Sequence, residues 1–244
     1  LRGLGLIMRL LVTRPHPQAE ETAAELRALG HEVLIAPLLE IVTDPDVSLE
    51  PDGADLVVLT SRGAVRALKG HPGLPGIAAM PVLAVGEATA EAARAAGFSD
   101  VRAAGGDLLS VARAIETDPN LPRTVLHIAG RDRSGDLGAL LGAAAVSVVT
   151  RVCYRAEPAT ALPADAAAAL KEGAIDGVLS FSPRSAATLV ALAKVAGLGP
   201  ALAEVRHFCL SHAVAEVLSG AGAARVEVAA TPDQAALLEL IGSA

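Results

Sequence analysis

Short apolar runs alternate with longer amphipathic stretches along almost the whole chain. The runs Arg9–Thr13, Leu56–Thr60, Val82–Val85, Val101–Ala103, Thr124–Ile128, Gly177–Phe181, His207–Leu210 and Val226–Ala229 are dominated by aliphatic residues and predict strands. Helical periodicity follows them, as in Ala19–Leu29 and Asp107–Ile115. Strands that are apolar throughout are buried on both faces, which is the condition of a parallel sheet covered by helices. The pattern therefore predicts an α/β fold. Two segments break the rhythm. Val33–Val42 reads as extended but runs into the loop Asp44-Pro45-Asp46, and Val146–Ala156 runs into Glu157-Pro158.

The pattern is also written twice. Asp55-Leu-Val-Val-Leu-Thr-Ser-Arg-Gly-Ala-Val returns about 121 residues later as Asp176-Gly-Val-Leu-Ser-Phe-Ser-Pro-Arg-Ser-Ala. Val82-Leu-Ala-Val-Gly-Glu-Ala-Thr-Ala-Glu is echoed by Phe208-Cys-Leu-Ser-His-Ala-Val-Ala-Glu, and Leu10-Leu-Val-Thr-Arg by Leu126-His-Ile-Ala-Gly-Arg. A duplication predicts two similar domains with a ligand cleft between them. The two helix-less segments sit at equivalent points of the repeats. They can pair as an antiparallel ribbon, which makes one domain from both chain ends and the other from the middle. The alternative is two sequential domains split near Asp118–Pro122.

Composition narrows the function classes. The chain of 244 residues is 52% hydrophobic, with no Trp, one Tyr and three Phe, so its cores are aliphatic. No apolar run approaches the roughly 20 residues that span a bilayer. Leu1–Met8 is apolar but lacks a small-residue cleavage site; it reads as upstream sequence, with Met8 as the candidate start. Cys153 and Cys209 lie far apart in strand-like runs, which fits buried thiols in a reducing cytoplasm. A net charge of −7 opposes nonspecific nucleic-acid binding.

Ligands of parallel α/β sheets bind beyond the carboxyl ends of the strands. Those ends are short polar loops here: Thr13-Arg14-Pro15, Thr60-Ser61-Arg62-Gly63, Gly86-Glu87, Gly130-Arg131-Asp132-Arg133, Ser182-Pro183-Arg184-Ser185 and Ser211-His212. Most open a helix, where free N–H groups and the positive end of the dipole suit carboxylates or phosphates. Arg14, Arg62, Arg131, Arg133 and Arg184 can add charge-assisted contacts. Each loop also has a plainer reading, since Ser, Thr and Asp before a helix are ordinary caps. Glu87 at a helix start is explained by capping alone. His127 inside a strand reads as a core residue, and His212 as a loop residue able to touch a ligand. No Gly-rich dinucleotide loop, Walker loop, Cys-x-x-Cys or G-x-S-x-G motif occurs. An enzyme of this kind positions its substrate and moves protons, with neither cofactor nor metal. Tyr154, the only Tyr, stands on the candidate ribbon. Its phenol can give a proton to a leaving group, or its ring can simply pack.

Several short motifs in order resemble one family. They are Leu11-Val-Thr-Arg-Pro with Gln18 and Ala19, Leu59-Thr-Ser-Arg-Gly-Ala-Val, Val85-Gly-Glu-Ala-Thr-Ala, Tyr154, Phe181-Ser-Pro-Arg-Ser and Thr231-Pro-Asp-Gln-Ala-Ala-Leu. Together they resemble uroporphyrinogen-III synthase over nearly the whole chain from Leu10. The resemblance implies two flavodoxin-like α/β domains joined by a two-stranded antiparallel ribbon. It favours residues 1–36 with 157–244 as one domain, 45–145 as the other, and 37–44 with 146–156 as the link, and so implies closure about a hinge. The implied reaction cyclises hydroxymethylbilane with inversion of ring D to uroporphyrinogen III, releasing water, without cofactor or metal. Tyr154 matches the family's candidate acid. Thr13, Arg14, Ser61, Arg62, Gly63, Gly86, Glu87, Thr89, Arg131, Ser182, Arg184, Ser185, Ser211, His212 and Ala213 fall on the loops that would hold the eight substrate carboxylates. Ala213 and Val214 stand where many relatives have Thr-Thr, so Ser211 or His212 would have to supply that contact. The expected partner is the tetrapyrrole alone, with no nucleic acid or membrane, and the expected state a cytoplasmic monomer. The competing class is a two-lobed sensor for an anionic metabolite.

Overall fold

The computed structural model describes residues 6–133 and 135–242. Residues 1–5 of the segment read as upstream sequence lie outside the described residues. Met8 is buried, and its N–H donates to His31 Nδ1 at 3.2 Å. In chain order the strands are β1 Arg9–Val12, β2 Glu32–Ile35, β3 Leu39–Thr43, β4 Leu56–Leu59, β5 Val82–Ala84, β6 Val101–Ala103, β7 Thr124–Gly130, β8 Ser147–Pro158, β9 Gly177–Ser180, β10 Arg206–Cys209 and β11 Arg225–Val228. The chain divides into two compact units, Leu1–Ile41 with Glu157–Ala244, and Val42–Ala156.

The first unit holds the sheet β11-β10-β9-β1-β2. Every pairing in it is parallel. Alternation along the strands sends Leu11, Val178 and Cys209 to one apolar layer. Leu10, Val12, Leu179 and Phe208 go to the other. The other sheet, β3-β8-β7-β4-β5-β6, lies in the second unit apart from the first residues of β3 and the last of β8. Val57, Leu59, Leu126 and Ile128 face one layer, and Leu56, Val58, Leu83 and Val125 the other. With both faces covered, β4 and β5 are buried along their whole length, which is why their sequences carry no polar alternation. Parallel sheets with helices on both faces, one per unit, are what the strand pattern predicts.

Two expectations change in detail. Val33–Val42 is not one strand. Its first part is β2, the parallel neighbour of β1; its second part is β3. Pro37 stands between them, with a fixed φ and no N–H to continue a ladder. Nor is Val146–Ala156 mainly ribbon. Residues from Ser147 to Tyr154 pair parallel with β7 as part of the second sheet. Antiparallel pairing of β3 and β8 is marked by the bonds from Asp44 N–H to Cys153 O at 2.9 Å and from Ala159 N–H to Leu38 O at 3.0 Å. β8 therefore serves two ladders in succession, which accounts for its length of 12 residues.

The β7–β8 ladder contains one irregularity. Ala129 pairs with Val152, but Gly130 pairs with Tyr154, so Cys153 is an extra residue on β8. A bulge of this kind bends the strand and re-aims the next side chain. Here that side chain is Tyr154.

Candidate functional site

In the second unit a cavity of about 420 Å³ opens beyond the carboxyl ends of β4, β5 and β7. Its walls include Thr60 and Ser61 after β4, Val85 after β5, Gly106–Leu108, Gly130 and Arg133 after β7, and the rings of His127 and Tyr154. Its position follows from the fold. The strands end together, and the loops that turn into the helices form the rim.

Tyr154 is held from three sides. A Cβ on Gly130 would lie 2.5 Å from the ring Cζ, and one on Gly63 would lie 2.9 Å from both Cζ and Oη. No other residue type leaves that space, so the two glycines form a slot for the phenol. The Tyr154 hydroxyl is 2.9 Å from Ser61 Oγ. Ser61 caps the helix Arg62–Leu68 by accepting the Ala64 N–H at 3.0 Å. The Ser61 oxygen keeps a second lone pair, so either hydroxyl of the pair can donate to the other.

His127 lines the same cavity. Its Nε2 is 3.0 Å from Thr60 Oγ1, and the residue is 2% exposed. Burial first, and the Arg133 charge second, push its pKa down to about 4, although Asp136 opposes them. The ring is neutral at neutral pH. Asp107, on the same wall, is held below the usual carboxylate range mainly by the Ser110 N–H at its helix cap. Asp107 makes that wall anionic, and Asp132 stands beside Arg133 among the lining residues.

Of the residues and loops singled out in the sequence, the cavity gathers Thr60, Ser61, Gly130, Asp132, Arg133 and Tyr154, with Gly63 under the ring. It does not gather the rest. Arg131 is exposed and donates its backbone N–H to the Tyr154 carbonyl at 2.9 Å. Gly86 caps Glu87–Ala95 through its backbone only, and faces Gly106. Glu87 takes a 2.7 Å hydrogen bond from Arg94, and Thr89 is buried within the helix. Arg62 is half-buried at the start of its helix. His127, read from the sequence as a core residue, and Asp107, read only as a helix start, also line the cavity. Gly130 is the most consequential for the ring, and its pairing with Tyr154 arises only through the register shift between the strands.

The remaining predicted residues sit on loops of the first unit. Thr13 is wholly buried and donates its hydroxyl to the Leu179 carbonyl at 2.7 Å, so its side chain is occupied by the fold. Arg14 lies 4.4 Å over the Phe181 ring and donates to Thr22 at 3.1 Å and to Gln234 at 2.6 Å. Ser182 caps Pro183–Val195 by accepting the Ser185 N–H, and the two hydroxyls are 2.9 Å apart. Arg184 is exposed beside them. Ser211 precedes His212–Gly220 without a side-chain capping bond, and His212 and Ala213 are exposed.

The fold and site define a class: an α/β protein of two parallel-sheet units whose candidate site holds a phenol, a neutral imidazole and backbone donors. Among the described residues no group of three or more His, Cys, Asp or Glu is placed to hold a metal. The family model described as uroporphyrinogen-III synthase HemD matches residues 20–239. The chain belongs to the uroporphyrinogen-III synthase family, a family of cofactor-independent cyclising lyases of haem biosynthesis. No match is found among curated proteins. The crystal structure of uroporphyrinogen-III synthetase from Helicobacter pylori 26695 is similar in fold, with a TM-score of 0.65 and 19% identity over 98% of this chain and 99% of that one. A mutant uroporphyrinogen III synthase from the extremely thermophilic bacterium Thermus thermophilus is similar at a TM-score of 0.52 and 20% identity, over 97% and 98% of the two chains.

Proposed function

We propose that the chain performs the family's reaction on hydroxymethylbilane with Tyr154 as the proton donor. The observation that supports this most is the glycine slot, which fixes the phenol on the cavity wall with Ser61 at its oxygen. Protonation of the departing ring-A hydroxyl releases water and leaves an azafulvene. The substituted carbon of ring D then attacks it. The spiro intermediate fragments and recloses with ring D inverted. General acid help of this type contributes about 10²–10⁴ in rate. The rest of the task is to hold the chain so that this attack precedes simple closure, which is a matter of proximity and orientation.

The substrate's carboxylates set the second part of the proposal. Backbone N–H groups near Ser61 and Gly86 are contacts for some of them, with Arg62, Arg131 and Arg133 nearby. The loops of the first unit offer the same chemistry at Ser182, Ser185, Arg184, Ser211, His212 and Ala213 to others. The support is their position at helix starts, where anions are favoured. Arg14 and Thr13 act there as frame. Charge-assisted contacts of this kind are screened, so KM for hydroxymethylbilane rises with ionic strength. Among the described residues no helix is long and apolar enough to cross a membrane. Cys153 and Cys209 are buried free thiols, with burial pushing their pKa values up to about 11 and about 12. The buried reduced thiols suit a cytoplasmic working form.

The deciding experiment is incubation with hydroxymethylbilane. A synthase yields uroporphyrinogen III. Accumulation of isomer I alone, the product of spontaneous closure, would instead identify a binding protein.

A further inference from the structure

A histidine sits among aliphatic residues on β7. His127 is buried between Leu126 and Ile128, and its register partner on β4 is Val58. Leu126 and Ile128 point to the layer in which the Tyr154 ring also packs, so alternation sends His127 to the opposite face of the sheet. There its Nε2 meets Thr60 Oγ1 at 3.0 Å. Thr60 is half-buried, and both residues line the cavity that Tyr154 also lines. The phenol and the imidazole–hydroxyl pair thus approach one cavity from opposite faces of the sheet. The duplicated frame folds without this pair. Phe181 stands in the first unit where the second has Thr60, and β1 contains no His.

The reaction takes one proton from the protein and must return one. Tyr154 gives its proton to the departing hydroxyl of ring A, which leaves as water. When inverted ring D recloses, its unsubstituted α-carbon bonds to the methylene carbon of ring C from which the ring was released. That α-carbon still carries its hydrogen. The pyrrole becomes aromatic again only when this C–H bond breaks and its electron pair returns to the ring. A pyrrole protonated at carbon is a strong acid, so a weak base suffices, provided that it is uncharged when the proton arrives. Proton donation at ring A and proton loss beside ring C fall on the two sides of ring D.

We propose that the Thr60 hydroxyl, backed by His127, takes up the proton that ring D loses. This rests on the reading of the chain as a uroporphyrinogen-III synthase. With Nε2 bare, Thr60 donates its own hydrogen bond to the ring and keeps lone pairs for the substrate. As Oγ1 accepts the ring-D proton, the original Thr60 proton passes to Nε2. The hydroxyl is thereby regenerated, and the imidazolium returns a proton through water to the Tyr154 oxygen. Burial first and the Arg133 charge second hold the imidazole down to about 4, with Asp136 opposing, so it waits uncharged. His127 needs no contact with the substrate, because the half-buried Thr60 provides it.

The test uses the intact chain and hydroxymethylbilane with deuterium at the free α-carbon of ring D. His127→Leu and Thr60→Val should each lower kcat for uroporphyrinogen III by about 10². Proton removal becomes limiting in both, so their deuterium isotope effect on kcat should exceed that of the parent. Thr60→Ser keeps the hydroxyl and should restore the parent's kcat and isotope effect. A packing role alone would slow the reaction without enlarging the isotope effect. Should His127→Leu fail to fold, the two Thr60 variants still decide. An isotope effect no larger than the parent's in either folded variant, or a Thr60→Ser protein that behaves as Thr60→Val, would overturn the proposal and leave the Tyr154 phenolate to reclaim the proton. A parent that forms isomer I alone would overturn the synthase reading and this inference with it, whereas isomer III with unaltered isotope effects overturns the inference alone.

Discussion

The two units solve the same local problem with the same device and then diverge at two positions. After β4 and after β9 the chain turns into a helix capped by a serine, Ser61 in one unit and Ser182 in the other. At the second helical position the second unit has Gly63 and the first has Arg184. At the end of the neighbouring strand the second unit has Gly130, where the repeat in the first unit has Thr13. The two glycines leave the slot that Tyr154 fills, and Ser61 meets its hydroxyl. In the first unit Thr13 turns its hydroxyl inward to Leu179, and the cap serine pairs with Ser185 instead. A duplicated frame thus becomes chemically asymmetric through the loss of two side chains. What separates the two loops is the space beside the cap, which only the second unit fills with a phenol.

The sharpest way to break this comparison is to fill the slot. Gly130→Val should displace the ring and cost the whole contribution of the acid, about 10²–10⁴ in kcat. Tyr154 is the only Tyr and there is no Trp, so the intrinsic fluorescence of the chain reports this one ring and should change with the substitution. Unchanged rate and emission would show that the slot does not hold the phenol.

A second test concerns pH. His127 has a folded pKa of about 4 against an ordinary value of 6.5, lowered mainly by burial. A histidine with a depressed pKa binds fewer protons folded than unfolded. Stability is therefore constant above the unfolded pKa and falls as pH drops from about 6.5 to about 4, by on the order of 3 kcal/mol in all. Denaturant titrations of the protein and of His127→Gln across that window measure it. An equal loss in both would acquit His127.

The smallest effect separates the two cap serines. Ser61→Ala and Ser182→Ala should each lose a helix cap, about 1 kcal/mol of stability. Only Ser61→Ala should also lower kcat, by about tenfold, the worth of one hydrogen bond to Tyr154. Equal kinetic effects in the two variants would erase the distinction between the units.

Much of this frame is legible in sequence because it is local. Aliphatic runs mark the parallel strands, and serine before a helix marks a cap. Tyr154 is conspicuous by being single. The features that make the site are not local. The bulge that places Gly130 opposite Tyr154 is a property of two strands in register, and neither sequence alone signals it. The partnership of His127 with Thr60 crosses from β7 to the loop after β4. Arg14 looks like a ligand-binding cation until Phe181 and Gln234, far along the chain, are seen to engage it. The division of Val33–Val42 was readable in principle, since Pro37 marks the break, but an extended pattern on both sides concealed it.

The central claim is that one phenol, held in a slot of two glycines, supplies the proton for the leaving hydroxyl. The most direct measurement is the rate of uroporphyrinogen III formation by Tyr154→Phe, with its melting temperature alongside. The account predicts kcat lower by about 10²–10⁴, KM within about twofold of the parent, and an unchanged melting temperature. Parental kcat in a folded Tyr154→Phe protein would contradict it, leaving the ring as packing and the reaction to conformational control of the substrate.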